Sequence, residues 1–180
     1  MSNAENIQEQ QFNKKQDISL KQDILFLLLK IGFIFLILFI IFTFIYGIFR
    51  NDYANMEPAI NSGDLVMYYR LDKNFVSQDI AVVNYEDHTY ALRVVAVEGD
   101  TVDISEDGLM INGSLQQEDN IYEDTQRYEE GIDFPITLQE DEIFLLGDSR
   151  KNATDSRIFG PVKRNETLGK VIMILRRRGI

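Results

Sequence analysis

The sequence predicts a mainly β domain of short hairpin strands, carried behind one N-terminal transmembrane helix. Two observations lead there. Residues 24–49 are a 26-residue run with one charge, Lys30. After Phe49 the pattern breaks into short β-prone runs separated by turn residues. With 180 residues in all, there is room for one modest domain beyond the helix.

Residues 1–23 mix charges with Gln8, Gln10 and Gln11, a composition expected of a disordered cytoplasmic tail or a short helical extension. The anchor is assigned to 24–49. Its 19 uncharged residues from Ile31 to Phe49 would rise roughly 28 Å as a helix, close to a hydrocarbon core of about 30 Å. Seven phenylalanines in the run leave it no polar face, unlike the amphipathic helix of a soluble core. It is too long for the apolar stretch of a cleaved signal peptide, and it leaves through Tyr46-Gly47-Ile48-Phe49-Arg50 rather than small residues. Lys14, Lys15, Lys21 and Lys30 lie on or before its N-terminal side, against Arg50 alone just after it. The positive-inside rule therefore places the N-terminus in the cytoplasm and residues 50–180 outside a single-pass membrane protein.

Composition then excludes functions for the external domain. The formal charge of −11 argues against nucleic-acid binding, which needs clustered Lys and Arg. No Cys and one His remove disulfides, thiol catalysis and Cys- or His-rich metal sites. No cofactor or metal is expected, and any catalysis must use Ser, Thr, Lys or carboxylates.

Strands are predicted at 65–69, 80–85, 90–97, 101–104, 109–111, 143–146 and 169–175, closing into a barrel or folding into two packed sheets. Between them stand Asn61-Ser62-Gly63-Asp64, Glu86-Asp87-His88, Glu98-Gly99-Asp100, Glu106-Asp107-Gly108 and Asn112-Gly113; the last is a strong two-residue hairpin signal. His88 is expected as a solvated turn residue. Residues 116–130 hold six acids against Arg127 alone, which suggests a solvated insertion or an acidic docking surface. Arg176, Arg177 and Arg178 are either a solvated terminus or a patch for headgroups or an acidic partner.

The densest motif runs from Gly147 to Gly160, with Gly147-Asp148-Ser149-Arg150 and Asp155-Ser156-Arg157 following the 143–146 strand. Together with Asn55-Met56-Glu57-Pro58, Gly63-Asp64-Leu65-Val66 and the block from Arg93 to Asp100, it resembles the type I signal peptidase family, over about residues 46–169. The resemblance implies a mostly β domain on the outer membrane face, with a Ser nucleophile and a Lys general base cutting signal peptides. It also implies that Asp155 and Arg157 tie their loop with an ion pair, and that Gly147, Asp148 and Ser156 serve the same structural loop.

The chemistry departs from that pattern at linked positions. Asn55 stands where the family has its nucleophilic Ser, and a carboxamide has no ionisable proton to lose. Leu92 stands at the Lys position before Arg93-Val94, and Ala153 where the family has a Ser that holds the ammonium. Tyr53 occupies a place that is commonly small or Ser-like. A catalytic Lys must be neutral near pH 7, several units below about 10.4, which costs stability through burial. With the nucleophile gone, Leu92 fills similar volume without that cost. No catalytic residue is intact, and losing either partner alone would cost a factor of roughly 10³ to 10⁶.

A pseudoenzyme is therefore expected, its former cleft lined by Tyr53, Asn55, Met56, Pro58, Leu92 and Arg93. The 65–71 stretch and the C-terminal end resemble the signal-peptidase-like proteins encoded with pilus genes in Gram-positive bacteria. That resemblance implies a chaperone or scaffold with pilin subunits, a class C sortase and membrane lipid as partners. The alternative is an active signal peptidase with a relocated dyad, drawn from Ser62, Ser149 or Ser156 and Lys73, Lys151, Lys163 or Lys170, with Ser149 and Lys151 the closest pair.

Overall fold

The computed structural model describes residues 3–118 and 121–176, with side chains from Leu20 onward. It divides into two units between Thr43 and Phe44. In the first, helix α1 spans Asn3–Ile40 and a π-helical turn follows at Ile41–Ile45. The N-terminal tail is thus a helical extension rather than a separate segment. Leu20–Ile45 is long and apolar enough to cross a membrane. Its leucines, its phenylalanines and its isoleucines other than Ile41 and Ile45 stand exposed, where the helix of a soluble core would bury them.

The apolar helical span ends earlier than the sequence suggested. Residues 46–49 are not helical: Tyr46–Arg50 form strand β1, which pairs antiparallel with β2, Leu65–Tyr69. The reason is steric as well as apolar. Gly47 faces Tyr68 so closely that a Cβ there would lie 2.1 Å from the ring, and the glycine lets that buried tyrosine pack flat on the strand.

The other strands are β3 Ile80–Tyr85, β4 His88–Val97, β5 Thr101–Ser105, β6 Gly108–Ile111, β7 Ser114–Leu115, β8 Ile136–Thr137, β9 Glu142–Leu146, β10 Val162–Lys163 and β11 Gly169–Leu175. They form two sheets, one of seven strands ordered β1-β2-β11-β3-β4-β9-β10 and one of four ordered β7-β6-β5-β8. All seven predicted strands are present. Besides β1, the additional strands β7, β8 and β10 are two-residue pairings, too short to leave a periodic signal. Asn112 and Gly113 both have positive φ, 53° and 79°, as a two-residue type I′ hairpin requires.

β4 runs through the middle of the larger sheet and is buried on both faces, which is why it reads as a near-continuous apolar run. Leu92 and Val94 join Phe75, Ala81, Ile143 and Leu145 in one cluster. Ala91 packs with Met56, Ile60 and Val66 in another. Phe144 and Leu146, on the opposite face of β9, meet Val102, Ile104 and Leu109 from the smaller sheet. The β4–β9 register sets Arg93 opposite Leu146, immediately before the 147–160 loop.

Candidate functional site

The segment between β1 and β2 is folded back on itself. Gly63 N–H donates to Asn51 O at 2.6 Å, Asn51 N–H to Asp64 O at 2.8 Å, and the Asn51 side chain to Tyr53 O at 2.7 Å. Met56 and Ile60 are fully buried and pin the segment into the core. Arg176 closes it from outside, donating to Ala59 O at 3.0 Å and to Asp64 at 3.3 Å. Arg176 is therefore a tether for this segment rather than a free basic patch; Arg177 and Arg178 lie outside the described residues.

Asn55 sits at the meeting point of this segment and the 147–160 loop. Ser149 N–H donates to Asn55 O at 3.0 Å. A Cβ on Gly147 would stand 2.5 Å from Asn55 O and 2.3 Å from the Ala153 Cβ, so only glycine fits between Asn55 and Ala153. Asn55 and Ala153, two of the three positions the sequence singles out as departures, are thus neighbours across one glycine. The Asn55 Nδ2 is buried with no hydrogen-bond partner, an arrangement that costs about 1–3 kcal/mol.

Leu92 is 0% exposed. It lies in a buried apolar cluster, and Tyr53 packs against that cluster, so Leu92 is closed off by apolar contact. Leu92, Met56 and Asn55 therefore lie under the surface instead of lining an open cleft, because β4 is sandwiched and the 51–64 segment is pinned inward. Tyr53 turns its ring toward Tyr90 and His88, at centroid distances of 4.9 and 5.5 Å, and its hydroxyl is hydrogen-bonded to His88 Nδ1 at 2.8 Å. His88 is exposed but is no free turn residue: it starts β4. Burial pushes the Tyr90 phenol up, opposed by its hydrogen bond to Thr154.

The loop itself is held by buried ions. Asp155 caps the short helix α2, Ser156–Phe159, accepting from Arg157 N–H at 3.1 Å, and its carboxylate also accepts from Gly147 N–H at 3.1 Å and Arg157 Nε at 2.9 Å. Ser156 Oγ accepts from Leu145 N–H at 3.0 Å. Arg93 donates a two-pronged bond to Asp148, at 2.7 and 2.6 Å, and that hydrogen bond, ahead of the cost of burial, raises the guanidinium pKa. Pro58, Asp148 and Ser149 line an open groove of about 460 Å³ with Glu57, Tyr122 and Glu123.

Among the described residues, none of Lys73, Lys151, Lys163 and Lys170 is hydrogen-bonded to Ser62, Ser149 or Ser156. Lys151 is exposed, Lys170 pairs with Asp79 at 2.7 Å, and Lys73 donates to Thr167 O at 2.5 Å. The Lys73 pKa is lowered by burial and then by the Arg70 charge, yet its ammonium is directed at Thr167. Ser62 Oγ donates to Asp52 O at 3.3 Å, and Ser156 Oγ serves Leu145.

Sequence reasoning missed the role of Arg150, Glu118, Thr125 and Tyr128. The 116–130 insertion is not merely solvated: Arg150 binds Glu118 at 2.5 and 2.6 Å, and Tyr128 donates to Ala153 O at 2.9 Å. These partners are 25 to 32 residues apart, so no local spacing reveals them.

The family described as signal peptidase, peptidase S26, matches residues 24–176. Signal peptidase I S of Bacillus subtilis is 29% identical over 154 residues, covering 80% of this chain and 84% of that protein. Signal peptidase IB of Staphylococcus aureus is 27% identical over 170 residues, covering 84% and 89%. A crystal structure of a signal peptidase I from Enterococcus faecalis V583 matches with a TM-score of 0.46 at 28% identity, over 56% of this chain and 97% of that one.

Proposed function

Because the chain belongs to the signal peptidase family, peptidase S26, we propose that it is a membrane-anchored pseudoenzyme of that family which binds pilin or a class C sortase during pilus assembly and cleaves neither. The observation that carries this is the fate of three family positions at once. Asn55 and Ala153 meet across Gly147, and Leu92 is sealed in the core. A carboxamide, a methyl and an isobutyl group provide neither a nucleophile nor a base.

The remaining structure supports a holding role. The loop ions that would orient a catalytic serine and lysine are still paired and buried, so the domain keeps a rigid surface beside the altered dyad. A groove of about 460 Å³ remains open there, with Pro58 on one side and Tyr53 close by in sequence. An extended partner segment could lie in it and gain main-chain hydrogen bonds from the loops. The anchor supplies membrane lipid contact, and the four N-terminal-side lysines favour a cytoplasmic N-terminus with the β domain outside the cell membrane.

The alternative is an active type I signal peptidase acting on secreted precursors, favoured by the names of the similar proteins. The two are separated in vesicles holding the full chain, pilin and sortase. Pilin or sortase retained by the vesicles at unchanged mass, with faster sortase-dependent polymerisation, supports the scaffold. A precursor shortened at its signal-peptide junction by the chain overturns it.

A further inference from the structure

Strands β2 and β11 are apolar at nearly every position, through Leu65-Val66-Met67-Tyr68-Tyr69 and Val171-Ile172-Met173-Ile174-Leu175, a pattern expected of strands buried on both faces. Among the described residues only one of their faces is covered. Val66 and Ile174 pack inward with Met56 and Ile60. Directly paired residues share a side of the sheet, and on the other side the register sets Ile48, Met67 and Met173 in one row and Arg50, Leu65 and Leu175 in the next. Ile48, Leu65, Met173 and Leu175 are each 43 to 51% exposed. A bulge between Val171 and Met173 inserts Ile172 and leaves it exposed beside Met173, which widens the patch. A contiguous apolar face of this kind marks a contact with a membrane or a partner.

The place where the face starts favours the membrane. The apolar span ends at Ile45 and β1 begins at Tyr46, so no linker separates the two. Ile45 belongs to the same compact unit as the sheet. Its main-chain oxygen accepts from Arg70 N–H at 2.9 Å, and Arg70 Nε donates to Tyr46 O at 3.3 Å. One corner of the sheet is thereby tied to the last residue of the span. The row at that corner is Tyr46, Tyr69 and Lys170, with the two tyrosine rings 5.5 Å apart; tyrosine settles where acyl chains meet headgroups. Four residue steps of about 3.3 Å separate Tyr46 from Arg50, roughly 13 Å in all, while the headgroup layer is about 5–7 Å deep on each side. An upright sheet would hold its Leu65 and Leu175 row in water; a sheet lying over the bilayer buries both rows in lipid.

Charge does not draw the domain down. Arg50, Arg176 and Lys170, at the margins of the face, are paired with Asp52 at 3.5 Å, Asp64 at 3.3 Å and Asp79 at 2.7 Å. The formal charge of the chain is −11. Burial of apolar side chains is the remaining attraction, and it depends little on lipid charge or salt.

We propose that the exposed face of β1, β2 and β11 is a second membrane contact, lying against the lipid leaflet at which the span ends. It rests on Leu20–Ile45 crossing the bilayer and is independent of any pilin or sortase.

The test uses the full chain in lipid vesicles. The protein contains no Trp, so Ile48→Trp and Met173→Trp each place a single fluorophore on the face, on different strands. Leu115→Trp places one on the exposed β7 of the smaller sheet as the aqueous reference. The two face variants should show blue-shifted emission, lose nearly all quenching by aqueous acrylamide, and be quenched by phospholipids brominated along the acyl chain. Leu115→Trp should show the reverse. The readings should be the same in zwitterionic and anionic vesicles, at low and at high salt. Positions 48 and 173 are both exposed, so either variant decides the case if the other fails to fold. Acrylamide quenching of the face variants equal to that of Leu115→Trp overturns the proposal. So does protection that fades as the protein is diluted in lipid, which assigns the face to a second copy of the chain, and so does protection lost at high salt.

Discussion

Ser149 N–H donates to the main-chain oxygen of Asn55 at 3.0 Å, joining the segment between β1 and β2 to the 147–160 loop. The bond uses the backbone on both sides. It survives whatever side chain stands at 55, so the junction keeps its shape independently of that side chain.

Asn55 carries the one energetic penalty at this junction, a buried Nδ2 without a partner. Asn55→Ala removes the unsatisfied donor and should leave stability unchanged or raise it by about 1 kcal/mol. Urea unfolding of the full chain in detergent measures this; a loss above that amount would show that the carboxamide is satisfied.

Leu92→Lys would bury an ammonium where seven other buried side chains, six of them aliphatic or phenyl, now pack. Its folded pKa should drop well below about 10.4. The unfolded state then binds the extra proton, so stability rises with pH between the folded pKa and about 10.4. The expected loss is about 4 kcal/mol at pH 7 for a drop of about three units, largely recovered near pH 10. Unfolding curves at the two pH values check both the size and the direction.

Much of this was legible before any coordinates. The 90–97 run was continuous because β4 is buried on both faces, and Asn112-Gly113 marked its hairpin because both residues need positive φ. The end of the anchor was not legible, since Tyr46–Phe49 is as apolar as the helix before it and turns to strand only through pairing with β2. At the site, positions 55, 92 and 153 could be singled out through the family resemblance. Their burial could not, nor could the Arg150–Glu118 fork, because both depend on contacts between distant parts of the chain.

Asp155 and Arg157 are 0 and 1% exposed and meet at 2.8 Å, and Asp155 also accepts from Gly147 N–H. Asp155→Asn leaves a buried guanidinium without its counter-charge, and should cost about 3–5 kcal/mol. Denaturant midpoints measure it, and faster hydrogen exchange at Gly147 should accompany the loss.

Lys73 offers a separate pH signature. Burial and the nearby Arg70 hold its pKa below the ordinary lysine value of 10.5. The unfolded chain therefore binds more protons in the window between the folded pKa and 10.5, and this group's contribution makes the fold more stable as pH rises through it. Lys73→Met should remove that increment, so the wild-type and variant stability profiles converge toward alkaline pH in a unit-by-unit comparison of unfolding free energies.

The central claim is that the fold persists without peptidase chemistry. It is tested most directly by incubating the full chain in lipid vesicles with a pilin precursor and a secretory precursor, beside the triple variant Asn55→Ser, Leu92→Lys, Ala153→Ser, and reading intact masses. Both precursors should keep their full mass with the natural chain, while the triple variant begins to cut at a signal-peptide junction. Cutting at that junction by the natural chain would contradict the claim and direct attention to Ser149 and Lys151.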